Sequence, residues 1–342
     1  MIVYIIRRLL VAIPILIAAS ALAFVLVDTA NDPVAEFTYQ LQMASDGDEV
    51  SEDAIENFKK RMYLDRSMPE RYWLWLTGIG GNGDIGLLKG EFGPSLEGPV
   101  ADIGAELRER FFITMRLALA ATILSFGLAI ISGVISAVRQ YHKIDYILTF
   151  VGFVALAMPT FWLAALIKES AIAFNKASGA TWFYTIREAS PGYDSMPFWE
   201  GMLDVIGHLI LPTVTLMLVG YASVSRYQRA SMLEVLNSDY VRLARAKGVR
   251  NRTVMRRHAL RTALIPIATF APLGVAGALS GAIITETIFS WRGLGTYFVE
   301  SIIDGDSFAV MAFLLISGTL VILANLVSDL LYGLLDPRIR YE

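Results

Sequence analysis

Few residues of this chain are grouped in a way that could do chemistry, and none of the groupings suits catalysis. Its three histidines, His142, His208 and His258, are isolated, and no H-E-x-x-H pair is present, so they offer no local zinc cluster. Cysteine is absent, which excludes disulfides, thiol nucleophiles and Cys-based zinc or iron–sulfur sites. There is no G-x-x-x-x-G-K-[ST] loop to cradle a nucleotide's phosphates. Catalytic residues, metal ligands and cofactor-binding residues are therefore expected to be absent. The richest pattern is instead one of contact, Asp239-Tyr240-Val241-Arg242-Leu243-Ala244-Arg245-Ala246-Lys247-Gly248-Val249-Arg250. Ala244, Ala246 and the interleaved arginines favour a helix, and Gly248 is a natural stop.

Three weaker signals lie elsewhere. Gly81-Asn82-Gly83-Asp84 repeats the G-x-G-D string of intramembrane aspartyl proteases, but in a polar segment without a second membrane-embedded Asp, so a turn is expected. His208 is the one buried-charge candidate well inside an apolar run's boundary, near its end, and is read as an interfacial histidine, while Arg116 lies close enough to the start of its run to snorkel. Gly274, Gly277 and Gly281 recur at i, i+3 and i+7, on one helix face after Pro266 and Pro272. Small residues on one face let helices approach closely. The same face also suits a path-lining helix that bends or slides.

The elements that must position these residues are membrane spans. Hydrophobic residues make up 55% of the 342 and charged residues only 18%, against about 25% charged in soluble domains. Six apolar runs are long enough to cross a bilayer as helices: Leu9 to Val27, Phe111 to Val138, Tyr146 to Ile167, Val205 to Ser225, Thr262 to Thr285 and Ser307 to Ser328. The first is expected to be retained, because it is longer than a signal-peptide core and lacks a small-x-small cleavage site. Segment 226–261 carries ten Lys/Arg against two acids, Glu234 and Asp239, and Arg139 to Lys143 and Arg7-Arg8 are also basic. Segment 31–110 has eight Lys/Arg against sixteen Asp/Glu, and 169–204 has two against five. Basic segments stay in the cytoplasm, which puts both termini inside.

The expected organisation is residues 1–30 as start and first span, 31–110 as a large external segment, and 111–342 as the membrane core. The core carries the external loop 169–204 and the cytoplasmic loop 226–261. Within 31–110, Glu52 to Leu64 should be helical, followed by Trp73, Trp75 and a Gly-rich tract. In 169–204, Trp182, Tyr184, Tyr193 and Trp199 look like interfacial anchors. The basic loop alone is also consistent with attraction to anionic lipid; nucleic acid is not an expected partner. The absence of charges deep in the spans weakens an autonomous ion-coupled carrier without excluding one.

The loop resembles that of bacterial ABC-importer permeases, E-A-A-x-x-x-G with a later I-x-L-P. Ala244, Gly248 and Leu260 match; Arg242 and Leu243 replace the Glu and first Ala, and His258 and Arg261 replace the Ile and Pro. The dipeptide/oligopeptide/nickel permeases are more similar, nearly end to end. The matching stretches are Tyr4 through Leu10, Gly83-Asp84-Ile85-Gly86, Tyr240 to Gly248, Arg257 to Arg261, Ala263 to Pro266, Glu286-Thr287-Ile288-Phe289-Ser290-Trp291-Arg292-Gly293-Leu294-Gly295, Asn325 to Leu330 and Leu335 to Tyr341. The large segment after the first span resembles the first-type permease of the usual pair.

The resemblance implies an all-α membrane protein of six transmembrane helices, like the permeases of type I ABC importers. It implies half of a translocation path for peptides, with nickel chelates, glutathione or oligosaccharides as alternatives. The partners it implies are a second permease, two ATPase subunits or domains that bind ATP and Mg, and an extracytoplasmic binding protein, all at a bacterial cytoplasmic membrane. Tyr240, Arg242, Ala244, Arg245, Ala246, Gly248 and Arg250 would contact the ATPase, with Ala244 and Ala246 permitting close approach. Gly274, Gly277 and Gly281 are the path candidates.

Overall fold

A computed structural model describes residues 2–30, 32–44, 51–96 and 101–335. The expected C-terminal motif from Asp336 to Tyr341, and with it Arg338, lies outside them. The described residues form two compact units.

One unit comprises Ile2–Phe112 and Thr296–Leu320. It contains α1 (Ile2–Ala30), α2 (Pro33–Ala44), α3 (Glu52–Arg61), α4 (Met68–Thr77) and a minimal antiparallel hairpin of β1 (Ile85–Gly86) and β2 (Glu91–Phe92). Ser51 caps α3 by accepting the Ala54 N–H at 3.3 Å. The helix stops at Arg61, short of the expected Leu64, because Tyr63 turns to φ 56°. There its hydroxyl donates to Asp84 at 2.6 Å and accepts from the Asn82 N–H at 3.0 Å. That pair holds the Gly81–Asp84 string as a bend between helix and hairpin, as its composition suggests. Trp75 is fully buried, its indole N–H on the Phe92 carbonyl at 3.1 Å, whereas Trp73 is exposed.

The other unit comprises Ile113–Gly295 and the chain from Val321 on. Its helices are α5 (Ile103–Val138) from Ile113 on, α6 (Lys143–Ala157), α7 (Thr160–Ser178), α8 (Phe198–Leu236) and α9 (Asp239–Ala246). There follow α10 (Asn251–Thr253), a π-helical turn at Val254–Ala259, α11 (Leu260–Ala263), α12 (Ile265–Gly281) and α13 (Ile283–Phe289). The chain closes with α14 (Leu294–Ile303) and α15 (Ser307–Leu335).

Among the described residues, four helices are long and apolar enough to cross a membrane: Tyr4–Ala30, Ile103–Val138, Phe198–Leu236 and Ser307–Tyr332. The other two expected spans are not straight. Tyr146 to Ile167 is broken at Met158-Pro159, and α6 and α7 meet at 106°. Proline has no N–H to donate and pushes the residue before it out of the helical region; Met158 accordingly sits at ψ 127°. Thr262 to Thr285 is divided as well. The helix Asn251–Ala263 bends by 47° into Ile265–Ala278 beside Pro266, and the chain breaks again at Ala282. Counting each bent pair as one span gives up to six.

Candidate functional site

The candidates of segment 239–250 fall on α9 and the turn after it. Ser238 enters with extended backbone, Asp239 occupies the first turn and Arg245 the last, the arrangement a helix dipole favours. The end is a Schellman closure: Gly248 N–H bonds Arg245 O at 3.0 Å and Val249 N–H bonds Ala244 O at 3.3 Å. Gly248 makes it possible at φ +74°, a left-handed conformation costly to other residues.

The two sides of α9 differ. Val241 and Ala244 are buried in an apolar cluster with Ala137 of α5, Met232 of α8, Val254, Ala259 and Ala263. Burying one valine contributes about 1.5–3 kcal/mol, so α9 is fastened to the chain's own helices. Tyr240 and Leu243 are 44% and 55% exposed, and Arg242, Arg245, Ala246 and Arg250 are exposed too. The expectation that both alanines permit close approach to a partner is thus corrected. Ala244 packs inward, and the outward surface is built from Tyr240, Leu243 and Ala246. Arg242 pairs with Asp239 at 2.7 Å on the open surface, an interaction of little net stability.

Behind α9, α8 is tied to α6 by a bidentate pair. Arg229 Nε and Nη2 donate to Asp145 Oδ1 and Oδ2 at 2.8 and 2.9 Å, and Ser136 and the Tyr141 N–H also donate to that carboxylate. Asp145 is buried, and these four donors satisfy it.

The stretch Glu286 to Gly295 forms a second constellation whose residue types follow from geometry. α13 ends with Ser290 in the left-handed region at φ 50°. Glu286, fully buried, accepts from Thr114 Oγ1 at 2.6 Å and from the Gly295 N–H at 2.7 Å. Thr114 Oγ1 in turn accepts the Leu294 N–H at 2.8 Å. The carboxylate and hydroxyl thus take up the free amides at the start of α14. A Cβ on Gly293 would lie 2.3 Å from Glu286 Oε1, so glycine is required by space. Trp291 is buried, with the Arg116 guanidinium 5.6 Å from its ring centroid.

The path candidates Gly274 and Gly277 line a cavity of about 260 Å³ bounded by α5, α7, α8 and α12. Gly281 is the last residue of α12.

His208 turns into the protein. It is 5% exposed, stacks on Tyr184 at 4.1 Å between centroids, and directs Nδ1 at the carbonyls of Ile186 and Arg187. Its Nε2 lies 3.2 Å from Ser190 Oγ, which bonds Asp204 Oδ1 at 2.6 Å. This network straps the loop before α8 to that helix. The i, i+4 spacing of Asp204 and His208 was the signal for it in the sequence. Trp182 and Trp199 are exposed, consistent with the anchor reading, while Tyr184 and Tyr193 contact His208 and Gly201. Among the described residues, no group of three His, Asp or Glu side chains could hold a metal ion.

With this geometry in hand, comparison with known proteins is direct. The family described as "Binding-protein-dependent transport system inner membrane component" matches residues 108–341, and its N-terminal companion, "Binding-prot-dependent transport system membrane comp, N-term", matches residues 1–94. The chain belongs to this family. It is 37% identical to the oligopeptide transport system permease protein AppB of Bacillus subtilis, over 99% of each chain. It is 36% identical to the oligopeptide transport system permease protein OppB of Mycobacterium tuberculosis, over 98% of each. It is 32% identical to the dipeptide transport system permease protein DppB of Escherichia coli, over 100% of each.

A chain of the MetNI methionine ABC transporter, in an inward-facing form, shares the fold with a TM-score of 0.53 and 14% identity, covering 67% of this chain and 96% of that one. The fold is that of a type I ABC importer permease. The chain is the membrane-embedded, non-catalytic permease component of an ABC importer, a family that works with ATPase and other subunits and uses ATP at those partners.

Proposed function

We propose that this chain forms half of the translocation path of an ATP-driven peptide importer and receives the motion of an ATPase subunit at α9. The observation that carries the coupling role is the two-sidedness of α9. One face is locked into the permease by Val241 and Ala244, and the other offers Tyr240, Leu243 and Ala246 to a partner. A helix fixed on one side transmits displacement instead of absorbing it. Gly248 and Arg250 complete the contact surface, and the exposed arginines suit an acidic rim. Peptide is favoured as cargo because the relatives named above are oligopeptide and dipeptide permeases.

The assembly contains a second permease, two ATPase subunits and an extracytoplasmic binding protein. The membrane is the cytoplasmic membrane of a bacterium, with both termini and segment 226–261 inside and segments 31–110 and 169–204 outside. The charge asymmetry of these segments supports that orientation. Gly274, Gly277 and Gly281 of α12 belong to the path.

The test is reconstitution. Peptide uptake in liposomes should require the binding protein, both permeases and the ATPases, and uptake by this chain alone would refute the reading. Single cysteines at Glu52, Gly90 and Ser190, but not at Arg139 or Arg250, should react with an impermeant reagent in intact cells.

A further inference from the structure

The cavity between α5, α7, α8 and α12 has a wall without Asp, Glu, Lys, Arg or His. Its polar groups are three hydroxyls, those of Thr122, Ser125 and Thr160. Ser125 stands out among them. It is 2% exposed, and its Oγ has no hydrogen-bond partner. Helical Ser and Thr can bond the carbonyl four residues back, as Thr215 does to Leu211 at 3.0 Å and Thr319 to Leu315 at 2.8 Å. Ser125 makes no such bond. A Cβ on Gly220 of α8 would come 2.6 Å from this oxygen, so α8 lies close against the hydroxyl at a point where only glycine fits. Leaving a buried hydroxyl unsatisfied is unfavourable, and a ligand amide that meets it removes the penalty. Two independent features thus coincide: a small-residue wall with empty volume, and a buried polar atom lacking its partner.

We propose that this cavity is a substrate subsite on the translocation path, which admits an uncharged peptide segment and hydrogen-bonds its amide through Ser125. The proposal rests on the peptide-importer reading and deepens it. The volume of about 260 Å³ lies below the roughly 300–1,000 Å³ of pockets for drug-sized ligands. It therefore holds a side chain and its neighbouring peptide group, not a whole oligopeptide. A serine hydroxyl both donates and accepts, as a peptide group does. The wall supplies no charge for a terminus and no ligand for a metal ion, and Phe126 is its one aromatic ring. Selection at this point is by bulk and against charge.

The experiment uses the complete transporter in liposomes with its binding protein, and tri-alanine and tri-phenylalanine as probes. Nothing lies within 4 Å of a Cβ built on Gly277, whereas one on Gly274 would meet Phe126 at 3.0 Å. Gly277→Leu therefore narrows the cavity without displacing a neighbour at its root. It should lower tri-phenylalanine uptake by about tenfold or more while tri-alanine uptake stays within about twofold, the signature of overfilling. Ser125→Ala should raise the transport KM for both peptides by about 2- to 10-fold, the worth of one hydrogen bond, with kcat unchanged and the melting temperature of the ligand-free complex held or raised, since an unpaired buried hydroxyl is removed. In this Cys-free chain, maleimide labelling of Gly277→Cys should slow when tri-phenylalanine, binding protein and ATP are present. Equal effects of Gly277→Leu on the two peptides, or labelling that the peptide does not slow, would overturn the subsite while leaving the importer reading intact. A lowered melting temperature in Ser125→Ala would likewise reassign that hydroxyl to the fold. If the wild-type complex imports neither peptide, the peptide-cargo reading falls and the subsite falls with it.

Discussion

Replacing Gly248 separates backbone conformation from sterics, because no atom lies within 4 Å of a Cβ built there and its φ is +74°. Within this chain a Cβ at this position meets nothing, so its effect on the permease itself is the strain of the left-handed region. That strain is about 1–2 kcal/mol for an ordinary residue and less for Asn, which visits the region more readily. It opposes two closing bonds, Gly248 N–H to Arg245 O at 3.0 Å and Val249 N–H to Ala244 O at 3.3 Å, each contributing a net ~0.5–1.5 kcal/mol. Gly248→Ala thus removes a large part of what closes the helix, shifting the closed population about 5- to 30-fold. The β-branched Val is stiffer still. Coupling should fall in the order Gly, Asn, Ala, Val. The assay is binding-protein-stimulated ATP hydrolysis and peptide uptake in the reconstituted transporter, with ATPase retention measured on pull-down. Wild-type coupling in Gly248→Val, or an order that follows side-chain size but ignores the tolerance of Asn, would refute the reasoning.

Leu243→Asp places a charge on the exposed face of α9 and should cut ATPase retention while the permease's melting temperature holds; Ala244→Trp, facing the buried cluster, should lower the melting temperature itself. Gly293→Ala drives a methyl to within 2.3 Å of Glu286 Oε1 and should cost about 1–3 kcal/mol by overpacking, read as a lowered midpoint in thermal unfolding; an unchanged midpoint counts against the Glu286–Thr114 arrangement. Asp304 is held above its ordinary value of 3.8 by burial and by the carboxylates of Glu300, Glu36 and Asp306. The folded chain binds that proton more tightly than the unfolded one, so stability falls as pH rises through the folded pKa. Asp304→Asn should slightly raise the melting temperature at neutral pH, the gain vanishing below pH 3.8.

Apolar runs were legible because they are one-dimensional: Leu9 to Val27 had to be a helix wherever it lay. Pro159 was equally visible, yet the apolar run around it was read as continuous; a proline's consequence for direction, a 106° change, depends on what α6 and α7 pack against. Ala244 was found as a candidate and given the wrong face. Helical periodicity shows that Val241 and Ala244 share a side but does not say whether a partner or Met232 covers it. Glu286 and Gly293 were picked out as a motif, and Thr114, 172 residues away from Glu286, supplies the reason. Ser125 carried no signal at all, because an absent hydrogen bond has no sequence.

α8 spans 39 residues without a break, about 58 Å at 1.5 Å per residue. His208 and Arg229 lie on it 21 positions apart, roughly 32 Å. One belongs to the strap on the loop before the helix and the other to the pair that grips α6. Pro212 lies between the two stations and removes one rung of the helix's hydrogen bonds, so a twist applied at Arg229 reaches His208 through a joint in the rod.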